Sequence, residues 1–231
     1  MMKYWKIIIL IILAAVAGWF LVKKFQKPPQ KGDDLTAMKN SVVADPVVIG
    51  ANLTDAQKTK FLADFKAAKK AVVDANFDTL QSLNDLALAK QHLGDLQGAI
   101  TAWEYTNIIR PKNSLSFANL AALYHYDLHD FAKAEENYKI ALENDPADML
   151  TTRNFFELYH YAMKDNAKTE ALLMQSIQQN PTAVDLYSLT GSFYEDIGNT
   201  QKAIEYYKKY LEINPSNQNV IKALDRLQKG Q

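Results

Sequence analysis

Gly-Asn-Thr-Gln-Lys-Ala-Ile-Glu-Tyr-Tyr-Lys-Lys-Tyr-Leu-Glu-Ile-Asn-Pro, residues 198 to 215, decides the fold. A Gly-Asn pair opens it, apolar residues follow at helical spacing, and a proline closes it, which reads as turn, amphipathic helix, stop. The same sentence stands at Gly94 to Pro111, where Gly-Asp-Leu-Gln-Gly-Ala-Ile-Thr-Ala-Trp runs on to Ile108, Ile109, Arg110 and the proline. Pro111, Pro146, Pro181 and Pro215 fall 35, 35 and 34 residues apart. Leu-Tyr-His-Tyr at Leu123 to Tyr126 recurs at Leu158 to Tyr161, 35 residues on. Self-similarity at this period marks a solenoid of stacked units. The repeats are set at 80–114, 115–149, 150–183 and 184–217.

These residues resemble the tetratricopeptide repeat, a helix–turn–helix unit of about 34 residues. In the last repeat Tyr187, Gly191, Tyr194, Ala203, Tyr207 and Pro215 stand at the family's aromatic, small and closing positions. Ala99 and Ala134 match the second-helix alanine, and Trp103 and Tyr138 its aromatic. The third repeat departs, with Thr169 for the alanine, Leu173 for the aromatic and Glu157 where a small residue is expected. On that reading Thr169→Ala should stabilise the chain.

Composition bounds the function. The chain has no cysteine, which excludes a disulfide framework and thiolate chemistry. Formal net charge is zero, but residues 1–31 carry six lysines and no acid, which leaves the remaining 200 with 20 basic and 26 acidic residues. An acidic body argues against nucleic acid, which rewards clustered Lys and Arg.

Ile7 to Val22 carries no charge. Tyr4, Trp5, Trp19 and Phe20 sit near its ends, as interfacial aromatics do, and Lys6 and Lys23 can reach the headgroups. Ala15-Val16-Ala17 fits a signal-cleavage site, so a cleaved leader competes with a retained anchor. The apolar residues that follow it, Gly18 to Val22, favour the anchor. The expectation is a single-pass membrane protein held through residues 4–25. Lysines on both flanks leave the orientation near balance; the short basic start favours an extracytoplasmic body.

The expected domains are an anchor over 1–25, a flexible tether over 26–53, a leading helix over 54–79, four repeats over 80–217 and a capping helix over 218–231. Pro28-Pro29, Gly32, Asp33-Asp34 and Pro46 argue against regular structure in the tether. Asn52-Leu53-Thr54 fits a glycosylation sequon, but Thr54 and Gln57 read better as a capping box. Phe61, Leu62, Phe65, Ala68, Val72 and Val73 make one face of the leading helix. Asp95, Asp130, Asp165 and Asn199 stand where helix N-caps belong, and Ser216 can cap the last helix, with Val220, Ile221, Leu224 and Leu227 as its apolar stripe.

No phosphate-binding glycine loop is present, and no nucleophile–base pair can be read from the sequence. His125 and His129 are spaced i, i+4 but lack the glutamate of a zinc-protease helix. No catalytic residue, metal or cofactor is expected.

In the family resembled, the first helix of each repeat lines a concave groove that holds an extended peptide or a helix. Three rows are candidates to face it: Asn84, Asn119, Asn154 and Ser188; Leu88, Leu123 and Leu158; and Tyr126 with Tyr161. Amides could grip a peptide backbone, and leucine and tyrosine would add apolar area. The carboxylate clamp of chaperone-binding members is not reproduced, since Arg153 has no lysine partners on these helices. The expectation is an all-α solenoid behind a single transmembrane helix, a membrane-tethered interaction module that binds protein or peptide and not nucleic acid. The alternative is a self-associating homo-oligomeric envelope protein whose groove holds its own tether, through Val42 to Ile49.

Overall fold

The computed structural model describes residues 31–47, 50 and 52–230. The expected anchor lies outside the described residues, and among those described no helix is long and apolar enough to cross a membrane. Two compact units divide the chain, Met1–Ala44 and Asp45–Gln231.

In the first unit a helix, α1, spans Lys31–Val42. This corrects the expectation of an irregular tether. Leu35, Met38 and Val42 fall at i, i+3 and i+7, a helical spacing that the neighbouring Gly and Pro residues obscure.

The second unit is an all-α, tetratricopeptide-like solenoid, with no strand among its described residues. Its leading helix, α2, spans Asp55–Asp74 and begins in the expected capping box. Gln57 N–H donates to Thr54 Oγ1 at 3.3 Å, and Thr54 N–H donates back to Gln57 Oε1 at 2.9 Å. Phe65, Ala68 and Val72 are its buried side.

Four helix pairs follow: α3 (Leu80–His92) with α4 (Leu96–Ile109), α5 (Leu115–Ala122) with α6 (Phe131–Asn144), α7 (Met149–Glu157) with α8 (Asn166–Gln179), and α9 (Val184–Asp196) with α10 (Thr200–Ile213). A closing helix, α11, spans Gln218–Gln228. From α2 to α11 each helix packs on the next, so neighbouring units bury what a single pair would leave exposed. Ala99, Ala134 and Ala203 are fully buried in the second helices, with Trp103, Tyr138 and Tyr207 one turn on.

The caps are local and repeated. Asp95, Asp130, Asp165 and Asn199 each accept the backbone N–H three residues ahead, at 3.0, 3.2, 2.9 and 3.2 Å. Asn217, rather than Ser216, caps α11 by accepting from Asn219 and Val220. Asp95 also holds Lys90 at 3.2 Å in a buried ion pair.

Between the closing proline and the next second-helix cap the middle repeats hold one more residue than the last, 19 from Pro111 to Asp130 and from Pro146 to Asp165 against 18 from Pro181 to Asn199, and the structure places it. α5 and α7 each end in a π turn, Leu123–Asp127 and Leu158–Ala162. There Leu128 N–H bonds back five residues to Leu123 C=O, at 3.1 Å, and Met163 to Leu158, at 2.8 Å. At the matching point of the outer repeats Leu93 bonds to Ala89 and Ile197 to Phe193, four residues back. A one-residue bulge of this kind absorbs an insertion without breaking the helix. The chain then turns through left-handed residues, Gly94 and Gly198 in the outer repeats, His129 and Lys164 in the middle ones.

The bulge shifts the alignment of the first helices. Counted back from the cap of the following helix, Gly191 and Ala87 lie eight residues before Asn199 and Asp95; with the bulge, Ala121 and Phe156 lie nine before Asp130 and Asp165 and hold the same position, and all four are buried. Phe156, not Glu157, therefore occupies the small-residue site of the third repeat, and Leu173 stands where the other repeats carry Trp103, Tyr138 and Tyr207. Large and small have changed places, so volume is conserved. The Cβ that Gly191 lacks would lie 2.6 Å from Tyr207 Cδ1, which shows how closely the two helices approach.

Candidate functional site

The first helices present one face that the second helices do not cover. At i, i+3, i+4, i+7 and i+11 the second repeat shows Leu115, Ala118, Asn119, Ala122 and Tyr126, and the third shows Leu150, Arg153, Asn154, Glu157 and Tyr161. Tyr126 is 45% exposed, Tyr161 59% and Leu150 69%. Scattered surface apolar residues are ordinary, but these recur at the repeat period on one face.

Polar bonds link each first helix to the next along this face. Asn119 Nδ2 donates to Asn84 Oδ1 at 2.6 Å, and Gln91 Nε2 to Asp127 Oδ2 at 2.7 Å. Tyr126 OH donates to Glu157 Oε2 at 2.9 Å and lies 3.4 Å from Asn154 Oδ1. Arg153 pairs with Asp185 at 3.5 Å, and His160 Nε2 meets Asp196 Oδ2 at 3.2 Å. Arg226 of α11 closes the series on Glu195.

Burial and the Glu157 carboxylate both raise the pKa of the Tyr126 phenol. Burial, with Asp196 and Glu157 nearby, raises that of Tyr161. Both phenols therefore stay protonated at neutral pH and act as donors. Burial lowers the pKa of His125, which favours its neutral ring.

The three candidate rows come apart. Leu123 and Leu158 are fully buried, so they belong to the core and present nothing to a partner. Asn84 is buried too; its Oδ1 accepts from Trp103 Nε1 at 3.2 Å as well as from Asn119. Because of the bulge, Asn119 and Asn154 stand one position further along the helix than Asn84 and Ser188. Asn119 and Asn154 are half-buried on the open face, as is Ser188, whose hydroxyl bonds to Asp185 C=O. Leu88 borders a cleft of about 440 Å³ between α2 and α3, with Asp64, Asp85, His92 and four alanines. Tyr126 and Tyr161 lie on the open face, beside Asn119 and Asn154.

Leu115, Leu150, Asp127, Glu157 and Asp196 share the face and were missed. The 35-residue spacing of Leu115 and Leu150, each eleven residues before a row tyrosine, was the signal available. Among the described residues no group of His, Asp and Glu is placed to hold a metal ion.

Residues 184–217, the fourth repeat, match a family model described as Tetratricopeptide repeat. No curated protein matches the chain. Among solved structures, MamA is similar at 19% identity over 74% of this chain and 99% of that one, with a TM-score of 0.54. TTC0263, a thermophilic TPR protein of Thermus thermophilus, is similar at 18% identity over 74% of this chain and 91% of that one, with a TM-score of 0.50. These likenesses bear on the fold.

Proposed function

We propose that the chain is a non-catalytic protein-interaction module, tethered to a membrane through residues 4–25, that binds a peptide segment along the first helices of its repeats. One observation carries this reading: Leu115, Tyr126, Leu150 and Tyr161 are exposed on the same face of consecutive repeats. Side chains with an apolar body and a polar tip are what a binding surface selects. Asn119, Asn154, Leu88 and Ser188 complete the surface, and the body lies on the extracytoplasmic side.

A photo-crosslinking residue at position 126 tests the reading, with position 208 on the opposite helices as control. Adducts formed only at 126 support it. Equal labelling at both positions, or none at 126, overturns it. Protease added to intact cells with a permeable outer layer checks the side of the membrane: loss of the body supports export, and full protection with digestion only after lysis refutes it.

The alternative, a groove filled by the chain's own tether, has less support. Gly50 N–H donates to Leu93 C=O at 2.7 Å, at the α3–α4 turn, and Asp45 pairs with Lys69 of α2 at 2.7 Å. Val47, between these two contacts, is 87% exposed and fills no groove.

A further inference from the structure

Charge is divided between the two sets of helices. With their π turns, the four first helices carry Asp85, Asp127, Glu157, Asp185, Glu195 and Asp196 against two cations, Lys90 and Arg153. Lys90 is buried on Asp95 and adds nothing to the surface; Arg153 pairs with Asp185 and Arg226 of α11 with Glu195, which leaves Asp85, Asp127, Glu157 and Asp196 as the excess. The second helices are balanced, with six lysines and seven glutamates. The excess negative charge thus falls on the face that carries the exposed leucines and tyrosines. Each of its two tyrosines has a carboxylate at hand: Tyr126 OH donates to Glu157, and Tyr161 feels Asp196 and Glu157. An aromatic face beside a carboxylate suits an ammonium or guanidinium group, which is drawn to both.

We infer that the occupant of this face is a cationic segment: an extended stretch with Lys or Arg at about every third residue and apolar side chains between them. The inference rests on the peptide-binding reading above and gives it a partner class. Neighbouring first helices lie about 10 Å apart, which an extended chain spans in about three residues. One cation would sit at Tyr126 and Glu157, and the next at Tyr161 and Asp196. The apolar residues between them would cover Ala118, Ala122, Leu115 and Leu150. An acidic segment would meet Asp85, Asp127, Glu157 and Asp196, while the two arginines of this face, Arg153 and Arg226, are already held by Asp185 and Glu195.

The test titrates the full chain with three labelled dodecapeptides by fluorescence anisotropy: four Lys-Leu-Ser triplets, four Gln-Leu-Ser and four Glu-Leu-Ser. The lysine peptide should bind about tenfold tighter than the glutamine one, more weakly at about 500 than at about 50 mM salt, and the glutamate peptide should not bind. Glu157→Gln with Asp196→Asn should bring the lysine peptide to within about twofold of the glutamine one. Arg153→Gln should tighten lysine-peptide binding, and it remains informative if the double variant melts early. If lysine and glutamine peptides bind equally and both are lost in Tyr126→Ala with Tyr161→Ala, the binding face stands and the cationic partner falls. If no peptide binds, both readings fall. Concentration-dependent oligomers that the lysine peptide does not dissociate would make a second copy the occupant and overturn the inference.

Discussion

The second and third repeats differ from the first and fourth in how the first helix ends, and the difference is confined to one turn. In the outer repeats the first helix stays α-helical to its end and leaves through Gly94 or Gly198. In the middle repeats it opens into a π turn and leaves through His129 or Lys164, residues that adopt the left-handed region at a cost glycine avoids. Yet the caps that follow, Asp130 and Asp165, do the same work as Asp95 and Asn199. An insertion is tolerated here because it ends before the next helix begins. The register of every second helix is preserved, and only the side chains before the bulge shift relative to the sequence period.

The sharpest test of this comparison is the exchange of volumes. Phe156 fills in the third repeat the site that Gly191 leaves open to Tyr207 in the fourth. Phe156→Ala should cost about 3–5 kcal/mol in urea unfolding, because Leu173 cannot reach what the ring fills. A loss near that of a surface change would show that the two sites are not equivalent. Gly191→Ala should cost about 1–3 kcal/mol, because its Cβ would meet two Tyr207 ring carbons at 2.6 Å. Adding Tyr207→Leu should recover part of that loss; no recovery would break the size argument.

The turns give a smaller pair of effects with opposite signs. Gly198→Ala has open space around it, so its cost of about 1–2 kcal/mol should come from backbone strain alone. Lys164→Gly relieves the same strain and should stabilise by up to about 1 kcal/mol. Thermal melts of the two variants that move in one direction would mean that the turns are not comparable. The smallest effect is at Thr169, whose hydroxyl donates to Asp165 C=O at 2.7 Å and is fully buried. Its equivalents are alanines, which suggested that alanine would be better here too. The bond reverses the sign, and Thr169→Ala should cost about 0.5–1.5 kcal/mol.

Much of the fold could be read because it is written in residues with one strong local meaning. Prolines stop helices, Asp and Asn before an amphipathic run cap them, and Thr54 with Gln57 forms its box. The π turns could not be read, since no residue type marks a bulge and a 35-residue period looks as regular as one of 34. The groove was misread for that reason: identical spacing put Asn84 in line with Asn119, although helical register separates them by one position. Leu123 and Leu158 failed as contacts for a plainer reason. On a first helix wedged between two neighbours, an apolar residue one step from the open edge is core. Tyr126 and Tyr161 lie at that edge, each three residues past its leucine.

The bulge also bears on ancestry. The two π turns lie at the same step of the same helix, and both are written Leu-Tyr-His-Tyr. Two independent insertions would have to match in position, in length and in the four residues around them. One insertion in a single parental unit, followed by copying of that unit, needs neither coincidence. On this genealogy the second and third repeats are sisters, and the first and fourth descend from a line that never acquired the extra residue. Phe156 and Leu173 then record divergence after the copying, since Ala121 and Tyr138 keep at those sites the arrangement found in the outer repeats.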